Sequence, residues 1–585
     1  MTGAESLLRA LRRMGVERIF ASPGSDWAPL WEALAQPRGP GEFPDYLSAR
    51  HETTAVAMAS GYAKATGKLP AVVLHTTVGA LNATLAMRAA LHERVPMVVL
   101  AGESIAFGEP PAPPLGRQWL RLLADVGGPA RLVEHCVKWS VGLNVAALLP
   151  HTIQRACQLA AAAPRGPVFV SVPTEYLMTP MTADAPHAVL PTVPAAPPEA
   201  IEALAQALFA AQSPVIVTEA VGKSVPAVHH LVALAETLGA PVVDAWQPTY
   251  VNFPRTHPLY GGIAAVEMGD LLRDADLVFL VEAVAPWHPP SALPAAGTKV
   301  AVLGEDPLHS YLPYWGYRAD FVVAGEPAPA LAMLVERLQK ALPPGTRAAS
   351  AERWRARHEQ RRLAVRAEAR ATGTKQPIDT RWVVHELSEI LPADAVIVDE
   401  TITHRLDAHR LLDRLAPGAF FEASCGGLGV GLGTALGVKA AHPDRVVVTL
   451  IGDGAFHYNP VPASFGVCQE HGLPILVVVF DNAGYLSQKM DVANAYPEGW
   501  AVRSQRFVGT SIRPRPDYAL LARAYGGYGE TVEAPGEVRA ALARGLEAVA
   551  HGQFALISML LDLVNPADSA AESAAESVAN SARPA

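Results

Sequence analysis

The stretch from Arg445 to Gln488, RVVVTLIGDGAFHYNPVPASFGVCQEHGLPILVVVFDNAGYLSQ, decides the fold. Val446–Ile451 is an apolar run short enough to be one buried strand, and Ile475–Phe480 is a second. Between them come a turn at Gly452-Asp453-Gly454 and a segment of helical length; the second run ends at Asp481-Asn482-Ala483-Gly484. Adjacent parallel strands joined by a helix bring both turns to one edge of a sheet, where open α/β sheets bind ligands. Asp453 offers a carboxylate there and Asn482 an amide oxygen, beside free backbone carbonyls. These are the hard oxygen ligands that Mg²⁺ prefers, and the glycines let backbone approach a phosphate. Either glycine alone would be an ordinary turn residue. The ordered series of strand, GDG, helix, strand and DN points to a Mg²⁺–diphosphate site.

Outward from that stretch, 585 residues allow three or four domains. Residues 1–185 alternate strand and helix patterns, with strands at Arg18–Ala21, Ala71–His75, Pro96–Ala101 and Pro167–Val172 and helices such as Trp27–Ala35 and Glu52–Ala65. Pro191–Pro198 is a linker into a second α/β unit, residues 195–345, with strands near Val215–Thr218, Val242–Asp244, Leu277–Val281 and Val300–Leu303. The charged run Ala349–Ala371 predicts a solvated connecting helix, and residues 375–565 form the third unit. Residues 566–585, poor in bulky apolar side chains, are expected to be a disordered tail. The predicted fold class is therefore α/β, with three doubly wound parallel-sheet domains.

A net charge of −9 without a basic run argues against a nucleic-acid partner. Four scattered cysteines without a CxxC pair argue against zinc and disulfides and suit a reducing cytoplasm. No apolar run approaches the ~20 residues that cross a bilayer. A cytoplasmic protein with no membrane partner is expected.

The GDG turn followed by Asn482, 29 residues beyond Asp453, resembles the cofactor motif of thiamine diphosphate (ThDP) enzymes. Ala49-Arg50-His51-Glu52-Thr53-Thr54-Ala55, with Gly61-Tyr62-Ala63 and Thr66-Gly67, resembles the signature around their cofactor-activating glutamate. The motif's place in the last of three units is similar to the branch containing acetolactate synthase, benzoylformate decarboxylase and pyruvate oxidase, near cyclohexane-1,2-dione hydrolase. That resemblance implies pyrimidine-binding, middle and diphosphate-binding domains. It implies that Asp453, Asn482 and the Gly484 carbonyl hold Mg²⁺, in a chain with Asp481 where many relatives have a second asparagine. Gly452, Gly454, Ala455, Tyr485 and Leu486 would surround the diphosphate, with Thr401 and Thr403 offering hydroxyls. In Ser424-Cys425-Gly426-Gly427-Leu428-Gly429, Gly426 would hold the pyrimidine amino group through its carbonyl and Leu428 would wedge the cofactor into a bent form. Glu52 would drive proton removal from the cofactor's reactive carbon. Each site would join the first domain of one subunit to the third of another, which requires a homodimer at least and commonly gives a homotetramer.

The same resemblance places Ser25, in Ser22-Pro23-Gly24-Ser25-Asp26, and His75 as substrate-facing groups, as in benzoylformate decarboxylase; a histidine suits proton transfer near neutral pH. Gln118 would reach in from the next loop, Trp287 and His288 from the middle domain. Trp27 and Trp31 stand where the dione hydrolase carries histidines. The expected activity is a ThDP- and Mg²⁺-dependent C–C lyase or carboligase, a decarboxylase or acetolactate-synthase-like enzyme. Its small-molecule substrate would be a 2-oxo acid or a related α-hydroxyketone or 1,2-dione. A flavin-dependent 2-oxo acid oxidase, a dione hydrolase and a non-catalytic ThDP-binding protein are the alternatives, and FAD in the middle domain stays open.

Overall fold

The computed structural model describes residues 1–106, 109, 113, 118–123, 127–181, 188–287, 293–423 and 426–561. The tail 566–585, His288 and the Ser424–Cys425 pair lie outside the described residues. Among the described residues, eighteen strands form three six-stranded, all-parallel sheets. The first holds β1 (Arg18–Ser22), β2 (Asp45–Ser48), β3 (Ala71–Leu74), β4 (Met97–Glu103), β5 (Trp139–Gly142) and β6 (Pro167–Pro173), in spatial order β2-β1-β3-β4-β6-β5. The middle sheet holds β7 (Pro214–Thr218), β8 (Val242–Asp244), β9 (Tyr260–Ile263), β10 (Leu277–Val281), β11 (Lys299–Gly304) and β12 (Phe321–Ala324), in order β12-β11-β10-β7-β8-β9. The third holds β13 (Val396–Glu400), β14 (Phe420–Glu422), β15 (Val447–Gly452), β16 (Leu476–Asp481), β17 (Tyr528–Val532) and β18 (Ala555–Leu560). Its order, β14-β13-β15-β16-β18-β17, repeats that of the first sheet.

The two runs of the deciding stretch are β15 and β16. They pair in parallel from Val448 with Leu476 to Gly452 with Phe480, so their carboxyl ends are level. Helices cover both faces of such a sheet, which is why these strands read as continuous apolar runs.

Nine helices position the sites: α1 (Glu52–Thr66), α2 (Thr77–Asn82), α3 (Thr84–His92), α4 (Ala348–Ala371), α5 (Arg405–Leu411), α6 (Gly431–Ala441), α7 (Asp453–Tyr458), α8 (Val461–His471) and α9 (Leu486–Ala495). Helix α1 of the first domain crosses α6 of the third at backbone contact. A Cβ on Gly61 would lie 2.0 Å from the Thr434 carbonyl oxygen, and one on Gly437 1.9 Å from that of Met58. Neither helix has a polar face at the crossing, because both are buried nearly all round.

Helix α4 departs from the expected solvated strut. It buries His358, Val365 and Ala369, while Arg362 Nε and Arg366 Nη2 each donate to Asp413 at 2.9 Å. His358 Nδ1 lies 3.2 Å from the Tyr260 carbonyl oxygen, and Arg361 donates to the carbonyls of Tyr260 and Gly261, covering the open edge of β9. Arg361, Arg362 and Arg366 thus have partners far away in the sequence, while Glu352, Arg353, Arg355, Glu359, Glu368 and Arg370 are exposed as expected. Trp27 and Trp287 are likewise core residues. Trp27 Nε1 donates to the Leu74 carbonyl at 2.7 Å, and Trp287 sits edge-on to Tyr317 within the middle domain.

Candidate active site

At the carboxyl edge of the first sheet, Ser25–Trp27 forms a helical turn directly after β1, and His75 follows β3 next to it. His75 Nδ1 lies 2.5 Å from Asp26 Oδ1. Asp26 is fully buried, and its other oxygen rests against Gly102, where a Cβ would come within 1.7 Å of it. Gly24 is needed for the same reason: a Cβ there would meet the His75 ring at 2.0 Å. Gln118 Nε2 donates to Ser25 Oγ at 2.6 Å. Helix α1 begins at Glu52, capped by His51 Nδ1 accepting from the Thr53 N–H at 3.2 Å. Asn82 Nδ2 donates to Glu52 Oε2 at 2.7 Å. Between the two groups stands Gly79, whose added Cβ would lie 3.0 Å from His75 Cβ and 3.3 Å from Glu52 Oε1. Ser25, His75, Gln118 and Glu52 are therefore neighbours at the carboxyl edge of the first sheet. Asp26 and Asn82, given no role by the sequence reading, orient two of them. Each sits within its motif loop, but its partner is brought up by a different strand or helix.

The third domain carries a separate constellation. Asp453 opens α7 at the end of β15 and is only 2% exposed. Its Oδ1 accepts from the Gly454 N–H at 2.8 Å and its Oδ2 from the Gly484 N–H at 2.9 Å. Asn482 Oδ1 also reaches the Gly484 N–H, at 3.1 Å. Ala483 takes φ +55°, and this left-handed turn folds the loop back over Asp453. Tyr485 N–H bonds to the Thr510 carbonyl at 2.8 Å, its ring lies over Gly454, and Leu486 starts α9. A Cβ on Gly452 would meet no atom within 4 Å, which leaves room beside the motif for a phosphate group. Burial and the neighbouring Asp481 carboxylate push Asp453 up to about 7. Arg515 Nε lies 3.5 Å from Asp481 Oδ1, and the oxygen donors around Asp453 are of the kind that suit Mg²⁺.

Thr401 is buried, its N–H given to Asp399 Oδ1 at 3.0 Å, while Thr403 is half-buried. Ala455 is buried, its carbonyl accepting from Asn459 Nδ2 at 2.9 Å. The Gly426 carbonyl accepts from Arg88 Nη1 at 3.1 Å, and Leu428 is half-buried against the core. Glu400, which the sequence reading passed over, organises this loop. It accepts from the Gly429 and Val430 N–H groups at 2.8 Å and from Asn459 Nδ2 at 2.6 Å, and burial raises it to about 7.

Within one chain the two constellations stay apart. Arg50 Nε donates to Glu470 Oε2 at 2.9 Å, and His471 Nε2 lies 2.8 Å from the Ser48 carbonyl oxygen. Glu470 and His471 end α8, close to where β16 starts. The segment leading into Glu52 is thus pinned toward the amino edge of the third sheet, whereas Asp453 stands at the carboxyl edge.

Models of the thiamine pyrophosphate enzymes match three parts of the chain: the N-terminal TPP binding domain at residues 1–110, the central domain at 201–313 and the C-terminal TPP binding domain at 402–559. Benzoylformate decarboxylase of Pseudomonas aeruginosa is 28% identical over 81% of this chain and 85% of its own length. Acetolactate synthase isozyme 3 large subunit of Escherichia coli is 26% identical over 96% of this chain and 95% of its own. The crystal structure of benzoylformate decarboxylase from Polynucleobacter necessarius superposes with a TM-score of 0.78 at 22% identity, covering 96% of this chain and 99% of that one. With all three domains matched in order on three parallel sheets, the chain belongs to the thiamine pyrophosphate enzyme family.

Proposed function

We propose that this protein is a ThDP- and Mg²⁺-dependent C–C lyase or carboligase acting on a 2-oxo acid or a related ketone. The observation that carries the reading is Asp453, a buried carboxylate between two strand ends with Asn482 and Gly484 beside it and a second carboxylate behind it. Asp453, Asn482 and the Gly484 carbonyl would hold Mg²⁺, and Gly452, Gly454, Ala455 and Thr403 would border the diphosphate. When bound, the cofactor supplies a nucleophilic ring carbon and an electron sink for breaking or making a C–C bond.

The chain's own groups then divide the proton and binding work. Asn82 occupies Glu52 Oε2, so Oε1 is the oxygen that would exchange a proton with the cofactor's pyrimidine ring. Asp26 fixes the His75 ring through Nδ1 and turns Nε2 away from itself, toward proton transfer with the substrate. Ser25, held by Gln118, presents a hydroxyl to a substrate carboxylate or carbonyl. The relatives named as a benzoylformate decarboxylase and an acetolactate synthase support a 2-oxo acid as substrate.

A complete site requires a second copy of the chain, with Glu52 of one subunit facing Asp453 of another, in a homodimer or a homotetramer built from it. Beside Glu52, Val78 and Leu81 on α2 are 54% and 47% exposed, an apolar rim of the kind that assembly covers. The free cysteines Cys136, Cys157 and Cys468 fit a reducing cytoplasm. Among the described residues no helix is long and apolar enough to cross a membrane.

The middle domain disfavours a flavin. Its strand order reverses between β7 and β10, the crevice where a dinucleotide would lie. There Glu219 and Glu282 follow the two strands, with Lys223 Nζ donating to Glu282 Oε2 at 2.8 Å and Arg94 reaching in from the first domain. Lys223 and Arg94 are already engaged with Glu282 rather than free for a pyrophosphate, so the flavin-dependent oxidase is the weaker reading.

Thermal denaturation with ThDP, with and without Mg²⁺, followed by a panel of 2-oxo acids and diones with aldehyde and CO₂ detection, tests the proposal. Stabilisation that needs both ligands and disappears in Asp453→Ala is expected. Equal stabilisation of that variant would refute the metal assignment.

A further inference from the structure

We infer that the cleft between the middle domain, α4 and α5 is a binding site for a phosphate-class oxyanion, distinct from the diphosphate site. Arg255, His358, Arg361, Arg362, Arg366 and His409 line it, and among the described lining residues Asp413 is the one carboxylate. The cleft contains neither Glu52 nor Asp453.

Arg255 is the centre of the argument. It is 1% exposed, and among the described residues it makes no ion pair. Its Nη2 lies 2.7 Å from His409 Nδ1, its Nη1 donates to the Leu412 carbonyl at 3.3 Å, and its guanidinium stacks 4.8 Å from the Phe420 ring centre. Its Nε–H is buried without an acceptor. The carboxylates facing it are Asp244 and Asp399, which burial raises to about 6 and about 7 even against the pull of Arg255. Neither forms an ion pair with it.

Other arginines of the wall, unlike Arg255, have carboxylate partners. Arg362 and Arg366 share Asp413, with Glu389 the further partner of Arg366 at 2.8 Å. A buried guanidinium without a counter-ion is costly, and guanidinium forks match the paired oxygens of phosphate better than a chloride or a single hydroxyl does.

The neighbouring group Asp399, His409 and Glu422 has the composition of a cation site, but Arg255 excludes that use. By donating to His409 Nδ1 it engages that lone pair and leaves the proton on Nε2, so neither nitrogen can ligate a metal. An oxyanion here would join α4 to α5, the helix that follows β13 and its Asp399–Thr401 turn.

The test uses full-length protein saturated with ThDP and Mg²⁺, so that the diphosphate site is filled. Radiolabelled orthophosphate is titrated by equilibrium dialysis at constant ionic strength, with sulfate and glycerol 1-phosphate as competitors. One saturable phosphate per chain is expected, together with a rise in melting temperature that chloride of equal ionic strength does not give. Equal competition by sulfate would identify a free oxyanion as the ligand; preference for glycerol 1-phosphate would identify a phosphorylated metabolite. Arg255→Gln should weaken binding at least about tenfold, the loss of one charge-assisted bond. Arg362→Gln, nearer the solvent, should do the same if the buried variant does not fold. The inference is overturned if wild-type protein binds no phosphate saturably, or if binding is unchanged in the folded variants, which would locate it elsewhere.

Discussion

Replacing Gly437 by alanine should loosen the first domain from the third. The new Cβ would stand 1.9 Å from the Met58 carbonyl oxygen, where real contacts stay beyond 3.0 Å, so α1 and α6 must separate by about 1 Å. The obstacle is helix backbone, which cannot rotate aside as a long side chain can. Overpacking of this kind costs ~3 kcal/mol, toward the upper end of its usual range. For a chain of this size that corresponds to a fall in melting temperature of roughly 2–4 °C, read by circular dichroism. Gly536→Ala is the control: it meets no atom within 4 Å and has ordinary backbone angles, so its melting temperature should not move. A Gly437→Ala protein that melts with the wild type would refute the claim that backbone contact sets the spacing of these helices.

Glu52→Gln should lower turnover about 10²–10⁴-fold while ThDP and Mg²⁺ still stabilise the protein, as steady-state rates beside thermal shifts would reveal. Asp26→Asn should lower kcat by at least about 100-fold with little change in KM, because it disturbs the orientation of His75; Ser25→Ala should act mainly on KM. Burial lifts Glu219 from 4.5 to about 7, so the folded state loses stability as pH rises through that window, by up to ~3 kcal/mol above it. Glu219→Gln should flatten the decline: denaturant midpoints of the two proteins should keep a constant offset below pH 4.5 and shift in favour of the variant toward pH 8.

The cofactor half of the molecule was legible because its signals are local. Two β-branched runs, each closed by a glycine-bearing polar turn, became β15 and β16 with Asp453 and Asn482 at their ends. Contacts across distant elements were hidden. Asp26 is quoted in the same loop as Ser25, yet its pairing with His75 exists only because β1 and β3 are neighbours in the sheet. Charge pattern misled at α4, since Arg362 and Arg366 look like solvent-facing residues until Asp413, about fifty positions away, comes up beside them. Trp287, expected to approach the site from the middle domain, fills that domain's own core.

The pinning of Ser48 and Arg50 onto α8 has a genetic consequence under the proposal that the centres form between subunits. A chain lacking its acid and a chain lacking its metal ligand damage different halves, so a mixed pair concentrates both lesions in one pocket and leaves the other whole. Two inactive variants, Glu52→Gln and Asp453→Ala, unfolded and refolded together in equal amounts, should therefore regain roughly a quarter of the native centres by random pairing. If each chain completed its own centre instead, no mixture of the two would recover anything.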